Sequence, residues 1–426
     1  MTPTRIAFTD ARLVDGTGAD PVGDATVVVD GGTVVEAGPS EAVSPGNDAR
    51  TVSVGGKTVM PGLIDAHVHL TLPERLPFHL EWANMSPPEH AIRAVDAAKR
   101  TVEAGFTTVR DVGACSYIDV DVRNAVERGD IAGPRVLASG PGICQTGGHG
   151  NYELPWLELP AGSISASADG PTGIRVAVRE RLERHVDNVK TFLTGGASDA
   201  AEKLDTREFT DAEIEALYSE AHSANKPVAA HCMTPDPCRR AMEQGLSGAH
   251  GDTVEHGIFF HRDESLLEEM ATDGVALVPT LTVYRCMSEG LGSGVPEEAA
   301  LNARDSREDH VKSVRKAIDA GVPIACGTDT GGPQAYHGEN AQELVEFVEA
   351  GMSPSEAVTT ATRDTADALG IGDEVGTLES GKAADLLVVD GDPTEDVSVL
   401  TDGSDDGGIE LVVRDGEPVV GHLDLL

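Results

Sequence analysis

The chain has 426 residues, 40% of them hydrophobic, enough for one large domain with a smaller one or for two to three of average size. It carries 72 acidic against 32 basic residues, a net charge of −40, and only eight of the basic residues are lysines. That balance opposes binding to nucleic acid or anionic membranes, which needs clustered Lys and Arg. No run of about 18 apolar residues reads as a membrane span, and the opening MTPTRIAFTDARLVDG lacks the basic and apolar stretches of a signal peptide. A cytoplasmic protein is expected. The acid excess is spread along the whole chain; with scarce Lys and few aromatics it fits adaptation to high internal salt, where a dense carboxylate surface stays hydrated. The six cysteines (115, 144, 232, 238, 286 and 326) form no CxxC pair and read as buried thiols.

From the N-terminus, residues 1–59 read as short strands and tight turns: RIAFTDARLVD, ATVVVDGGTVVEAG and TVSVGGKTVM. The Asp30-Gly31 step between Val-rich runs is a hairpin signal, since both residue types accept positive φ. Similar β text returns in ADLLVVDGDP and IELVVRDGEPVV. The economical arrangement is a small composite β-sandwich domain from both termini, 1–59 with 371–426, and a large insert over 60–370.

The insert alternates short apolar runs with helical stretches. The runs are LIDAHVHL (63–70), TTVRDVG (107–113), RVLASG (135–140), NVKTFLT (188–194), PVAAHC (227–232), TVEHG (253–257), ALVPTL (276–281) and PIACGTD (323–329). Pro87 and the Thr210/Glu213 pair fit helix starts, and Gly105 a stop. Eight such units predict an α/β fold, a TIM-like (β/α)8 barrel, with a doubly wound open sheet as competitor. Two longer connections, 141–175 and 282–305, fall where loops at the catalytic face would lie.

His67 and His69 end the first run; as i and i+2 of a strand they share a face. A His-x-His alone is weak. His231 ends the fifth run, His256 the sixth and Asp329 the eighth. In a barrel the strand C-termini converge on one cavity, so four imidazoles and a carboxylate meet there, as a metal site requires. Lys190 lies inside the fourth run, where an inward ammonium is costly unless paired; the competing reading is an ordinary salt bridge or an outward side chain.

The motifs VMPGLIDAHVHL, AAHC, VEHG, GTDTG and GTLESGKAADLLVVDGDP together resemble the amidohydrolase superfamily, over essentially the whole chain. The resemblance implies a cytoplasmic metal-dependent hydrolase, and with the acidic composition a haloarchaeal one. It implies two divalent ions, zinc best suited to imidazole donors, roughly 3.5–4 Å apart. One ion would take His67, His69, Asp329 and a CO2-derived carbamate on Lys190; the other would take the carbamate, His231 and His256. Asp329 would shuttle the proton, His149 in GICQTGGHGN would face the substrate carbonyl, and Tyr284 would grip a polar group. The VKTFLTGG text resembles dipeptidase-like members, so an amide or peptide-like C–N bond in a small substrate is the expected target. Cyclic-amide hydrolysis as in imidazolonepropionase, lactone or phosphotriester hydrolysis, and a non-catalytic scaffold are the rivals. The last predicts missing ligands, and none is missing. Further copies of the same chain are expected as partners. The remaining histidines (79, 90, 185, 222, 250, 261, 310, 337 and 422) are assigned to surface or helix positions.

At −40, self-repulsion loosens the folded state once screening is removed, because the Debye length grows from about 3 Å at 1 M to about 30 Å at 0.01 M salt. Circular dichroism during dialysis out of molar KCl is expected to show loss of cooperative structure; full retention at 10 mM would contradict the salt adaptation.

Overall fold

A computed structural model describes residues 5–74, 81–151 except 83, 159–196, 203–290, 295, 297–401, 407–421 and 423. Strands from both ends of the chain build one eight-stranded sheet. Its order is Glu417–Val420, Gly408–Arg414, Leu386–Asp390, Thr58–Pro61, Arg5–Leu13, Val22–Asp30, Thr33–Pro39, with Arg50–Ser53 also paired to Arg5–Leu13. The Val-rich runs alternate as a pleat demands: Val27 and Val29 pack with Phe8, Val59, Leu386 and Val388, while Val28 joins Ala7 and Val43 on the opposite face. A hairpin forms there, but one residue later than the Asp30-Gly31 step suggested: Asp30 stays in the ladder opposite Thr33, and Gly31 and Gly32 are the central residues. Both glycines have positive φ (56° and 91°), which a two-residue turn of this hand needs.

The middle of the chain is parallel α/β. Leu63–Val68, Phe106–Asp111 and Arg135–Leu137 form a three-stranded parallel sheet. Ser165–Ser167, Gly142–Cys144, Val189–Phe192, Val228–Cys232, Thr253–His256 and Ala276–Val278 form a six-stranded one. The expected single closed barrel is not what these two sheets make. Among the described residues the eighth run, PIACGTD, carries one parallel bridge, Leu277↔Ile324, and the residue after it a second, Val68↔Thr330. Backbone bonds from Ala66 N to Cys326 O (2.7 Å) and from Ala325 N to Leu277 O (3.0 Å) nonetheless lay it between the two sheets. The backbone turns left-handed at Asp329 (φ 59°), the last residue of the run.

Two further expectations are corrected. RVLASG ends as a strand at Leu137, because Gly140 has φ 64° and Pro141 has no N–H to give a ladder. The connection 282–305 is mostly helix, with Leu281–Glu289 and the start of Glu297–Ala320. The buried Glu343 carboxylate accepts the Leu281 and Thr282 N–H groups (2.8 Å each), so the first turn is capped from outside its own sequence. Where local signals were clear they held. Pro87–Glu103 starts on its proline, and Asp211–Ser223 carries the Thr210/Glu213 capping box. Among the described residues no helix is long and apolar enough to cross a membrane.

Candidate metal centre and active site

The structure brings the residues that end the first, sixth and eighth runs into one small volume. One ligand-type atom from each of His67, His256 and Asp329 lies within 4.8 Å of the others. His69 Nε2 is 3.3 Å and His67 Nε2 3.7 Å from Asp329 Oδ1. His231 continues the array, its ring 4.5 Å from that of His256, and the His149 ring is 4.4 Å from His231. The backbone is bent to achieve this: His256 (φ 73°) and Asp329 (φ 59°) occupy the left-handed region, which costs non-glycine residues energy and clusters at functional sites.

Each imidazole is oriented by a partner on its far nitrogen. His69 Nδ1 meets Gly113 O at 2.9 Å, and since a carbonyl only accepts, that nitrogen bears a proton while Nε2 faces Asp329. His256 Nδ1 faces the Thr280 hydroxyl (2.7 Å), which itself donates to Pro279 O. His67 Nδ1 faces Glu255 Oε2 at 2.7 Å. His231 is turned the other way, with Nε2 at Gly195 O (3.2 Å), leaving Nδ1 as its donor atom.

The electrostatics match this geometry. Burial first, then the Lys190 charge, pulls His67 down to about 4, and burial, with the crowding of other imidazoles and Lys190, holds His231 and His256 well below the ordinary imidazole value. All three are neutral near pH 7, as metal ligands must be. Burial pushes Asp329 up, but its placement against His67, its hydrogen bond with His69 and the Lys190 charge outweigh that and hold the carboxyl below its ordinary value, ionised near neutral pH. His69 moves up despite its burial, through its contact with Asp329. Three neutral imidazole donors converging on an ionised carboxylate are a donor set that a divalent ion such as zinc fits.

Lys190 lies in Val189–Phe192 and is 2% exposed, so the outward reading fails. Among the described residues its Nζ makes no ion pair; it lies 5.3 Å from the Phe192 ring centroid and feels Glu255 and Asp329 through space. Desolvation lowers it to about 8. His149 is buried at the edge of the array, its backbone N–H donating to Glu208 Oε1 (2.5 Å). Tyr284 lies on Leu281–Glu289 with its ring 6.0 Å from His256, but its hydroxyl donates to Met233 Sδ (3.6 Å) within an apolar cluster. Packing accounts for that contact.

Sequence reasoning missed several residues. Glu255 sits in the quoted VEHG motif and Arg110 in TTVRD, yet a carboxylate and a guanidinium inside apolar runs give no local sign of which partner they serve. Arg110 Nη2 donates to Glu255 Oε1 at 3.0 Å, and both side chains are at most 1% exposed. His310 and His337, assigned to surface or helix, are buried: His310 Nε2 lies 3.1 Å from His256 O, and His337 Nε2 lies 3.2 Å from His69 O. His90, on its helix, is also buried, facing Thr71 O. Burying them satisfies carbonyls that the bent strand ends leave without ladder partners. His79 and His422 lie outside the described residues.

Comparison with known proteins gives a consistent picture. The model of the amidohydrolase family matches residues 58–419. Ochratoxinase from Aspergillus niger is 28% identical over 416 residues, covering 91% of this chain and 82% of the relative. Imidazolonepropionase from Geobacillus kaustophilus is 26% identical over 383 residues, covering 85% and 83%. The crystal structure of a Xaa-Pro dipeptidase with methionine bound in its active site is 31% identical, covers 98% of this chain and all of that one, and superposes with a TM-score of 0.86.

The burial of Lys190 carries a pH signature. Its folded value of about 8 lies below the ordinary 10.5, so between those values the unfolded chain binds the extra proton and stability rises with pH. In metal-free, CO2-free protein, Lys190→Met is expected to flatten this rise between pH 8 and 10.5 in denaturant titrations. An unchanged slope would mean the lysine is not desolvated.

Proposed function

Because the chain belongs to the amidohydrolase family, we propose that it hydrolyses an amide or peptide-like C–N bond of a small substrate at a centre for two divalent metal ions, zinc the best match. The observation that carries this reading is the convergence of His67, His256 and Asp329 within 4.8 Å, with His69 and His231 beside them. His67, His69 and Asp329 would hold one ion and His231 and His256 the other, with Lys190 shared between them as a carbamate. When bound, such ions polarise a carbonyl and bring the pKa of water towards neutrality.

The chain's own residues supply the rest. A lysine lowered to about 8 keeps a fraction of neutral amine near pH 7. That amine can attack CO2: the N–C bond forms as one C=O π bond opens onto oxygen, and an N–H proton leaves to solvent, so a group that is otherwise a buried ammonium becomes an anionic carbamate. Asp329, held ionised, accepts a proton from the attacking water and returns it to the leaving nitrogen. His149, beside His231, contacts the substrate carbonyl. The Xaa-Pro dipeptidase supports a dipeptide-like substrate; ochratoxinase and imidazolonepropionase widen the range to other amides. The matching fold reading is a (β/α)8 barrel closed through 323–330, which the bridges at Ile324 and Thr330 support, with 1–59 and 371–426 as the smaller domain.

Xaa-Pro and other dipeptides, N-acyl amino acids, cyclic amides and lactones, assayed with zinc in molar KCl, test this directly. Hydrolysis of an open-chain amide is expected, falling about 10²–10⁴-fold in Asp329→Asn with metal retained. Lys190→Ala should drop from about two metals per chain towards one or less, with partial rescue by short carboxylic acids. Turnover of cyclic amides alone, undisturbed by Lys190→Ala, would favour the imidazolonepropionase-like alternative; no metal and no turnover would overturn the reading.

A further inference from the structure

Glu255 and His256 are consecutive residues of Thr253–His256, and in a regular strand their side chains would point to opposite faces. The left-handed backbone at His256 removes that opposition, and both serve the same centre. The His256 ring is 5.0 Å from the His67 ring, and Glu255 Oε2 lies 2.7 Å from His67 Nδ1. That nitrogen is the one turned away from Asp329, which faces Nε2.

The carboxylate has little freedom of its own. Its other oxygen, Oε1, accepts from Arg110 Nη2 (3.0 Å) and from the Thr253 hydroxyl (2.5 Å), two residues back on the same strand face. Arg110 in turn donates from Nε to Ala66 O (2.8 Å), the residue before His67. Arg110, Glu255 and His67 are each at most 1% exposed. A plain structural ion pair would need only Arg110 and Glu255. Here the second carboxylate oxygen is aimed at one nitrogen of one ring, while the guanidinium grips the backbone that carries that ring. Three strands, Leu63–Val68, Phe106–Asp111 and Thr253–His256, thereby set one imidazole.

We propose that Glu255, clamped by Arg110 and Thr253, is a positioning residue that fixes His67 with its Nε2 lone pair towards Asp329 and so sets the affinity of the site for a divalent cation. This rests on the metal-centre reading above. Carboxylate partners of metal-bound imidazoles are typically worth 10–100-fold in affinity.

The test uses full-length protein freed of metal by chelator dialysis in molar KCl, titrated with Co2+ against a competing chelator. Circular dichroism and the thermal midpoint of the metal-free protein report folding. Glu255→Gln is expected to raise the Co2+ dissociation constant about 10–100-fold and to alter the visible Co2+ absorption bands. In a His67→Ala background the same substitution should add little, because the path through His67 is already gone. If Glu255→Gln does not fold, Thr253→Val keeps the ion pair, removes one of the two clamps and should weaken Co2+ a few-fold. A folded Glu255→Gln with unchanged affinity and spectrum, losses that add in the double variant, or an unaffected Thr253→Val would overturn the inference alone. Wild-type protein that takes up no Co2+ would overturn it together with the metal-centre reading.

Discussion

Desolvated charge beneath the strand ends is the constraint on which the rest of this structure depends. Lys190, Arg110 and Glu255 are removed from water together, with Asp329 partly shielded beside them, and a buried ion costs several kcal/mol unless it is compensated. Arg110 and Glu255 compensate each other directly; burial favours a neutral Glu255, yet Arg110 and then His67 hold it down at about 2. With Lys190 as an ammonium the four formal charges are two positive and two negative, a sum of zero. As a carbamate the lysine changes from +1 to −1, and the same four groups sum to −2. In the proposed state the site therefore becomes an attractor for cations, and the three neutral imidazoles supply ligands without adding repulsion.

The same volume concentrates backbone strain. His256, Thr280 and Asp329 all have positive φ, at a typical cost of about 1–3 kcal/mol each, and they persist because neighbours over-determine them. Asp65 is one such neighbour. Its carboxylate accepts from the backbone of His67 and Thr328, the Thr328 hydroxyl and the Asn340 amide, tying the first run to the eighth at the level of the site. Gly327 matters for the same reason, since a Cβ there would lie 2.3 Å from Val278 and 2.9 Å from the His67 Cβ. The strands approach closely enough at this point that side-chain volume is excluded.

The histidines and Asp329 were legible in the sequence because each sits at the end of an apolar run, a position that topology converts into proximity. Starts and turns with local chemistry were legible too: the Thr210/Glu213 capping box where expected, and a hairpin one residue beyond the expected Asp30-Gly31 step. What was not legible is set by partners far along the chain. Glu343 caps a helix that begins 62 residues earlier. Arg110 and Glu255, 145 residues apart, meet only after three strands are assembled. Tyr284, which sequence alone allowed either to grip a substrate or to pack, has its hydroxyl on Met233 Sδ, 51 residues earlier, a partner its own run gave no hint of. The eighth run has strand-like text, yet it pairs through isolated bridges, so the number of apolar runs overstated the regular strands.

Crystals grown with zinc and bicarbonate in high salt, measured at the zinc absorption edge, test the central claim most directly: that this buried cluster is built around metal ions and a modified lysine. The account predicts two anomalous peaks, one within bonding distance of His67, His69 and Asp329 and one of His231 and His256, with carboxyl density continuing from Lys190 Nζ between them. Lys190 as a bare amine, with no anomalous peak among these side chains, would contradict it.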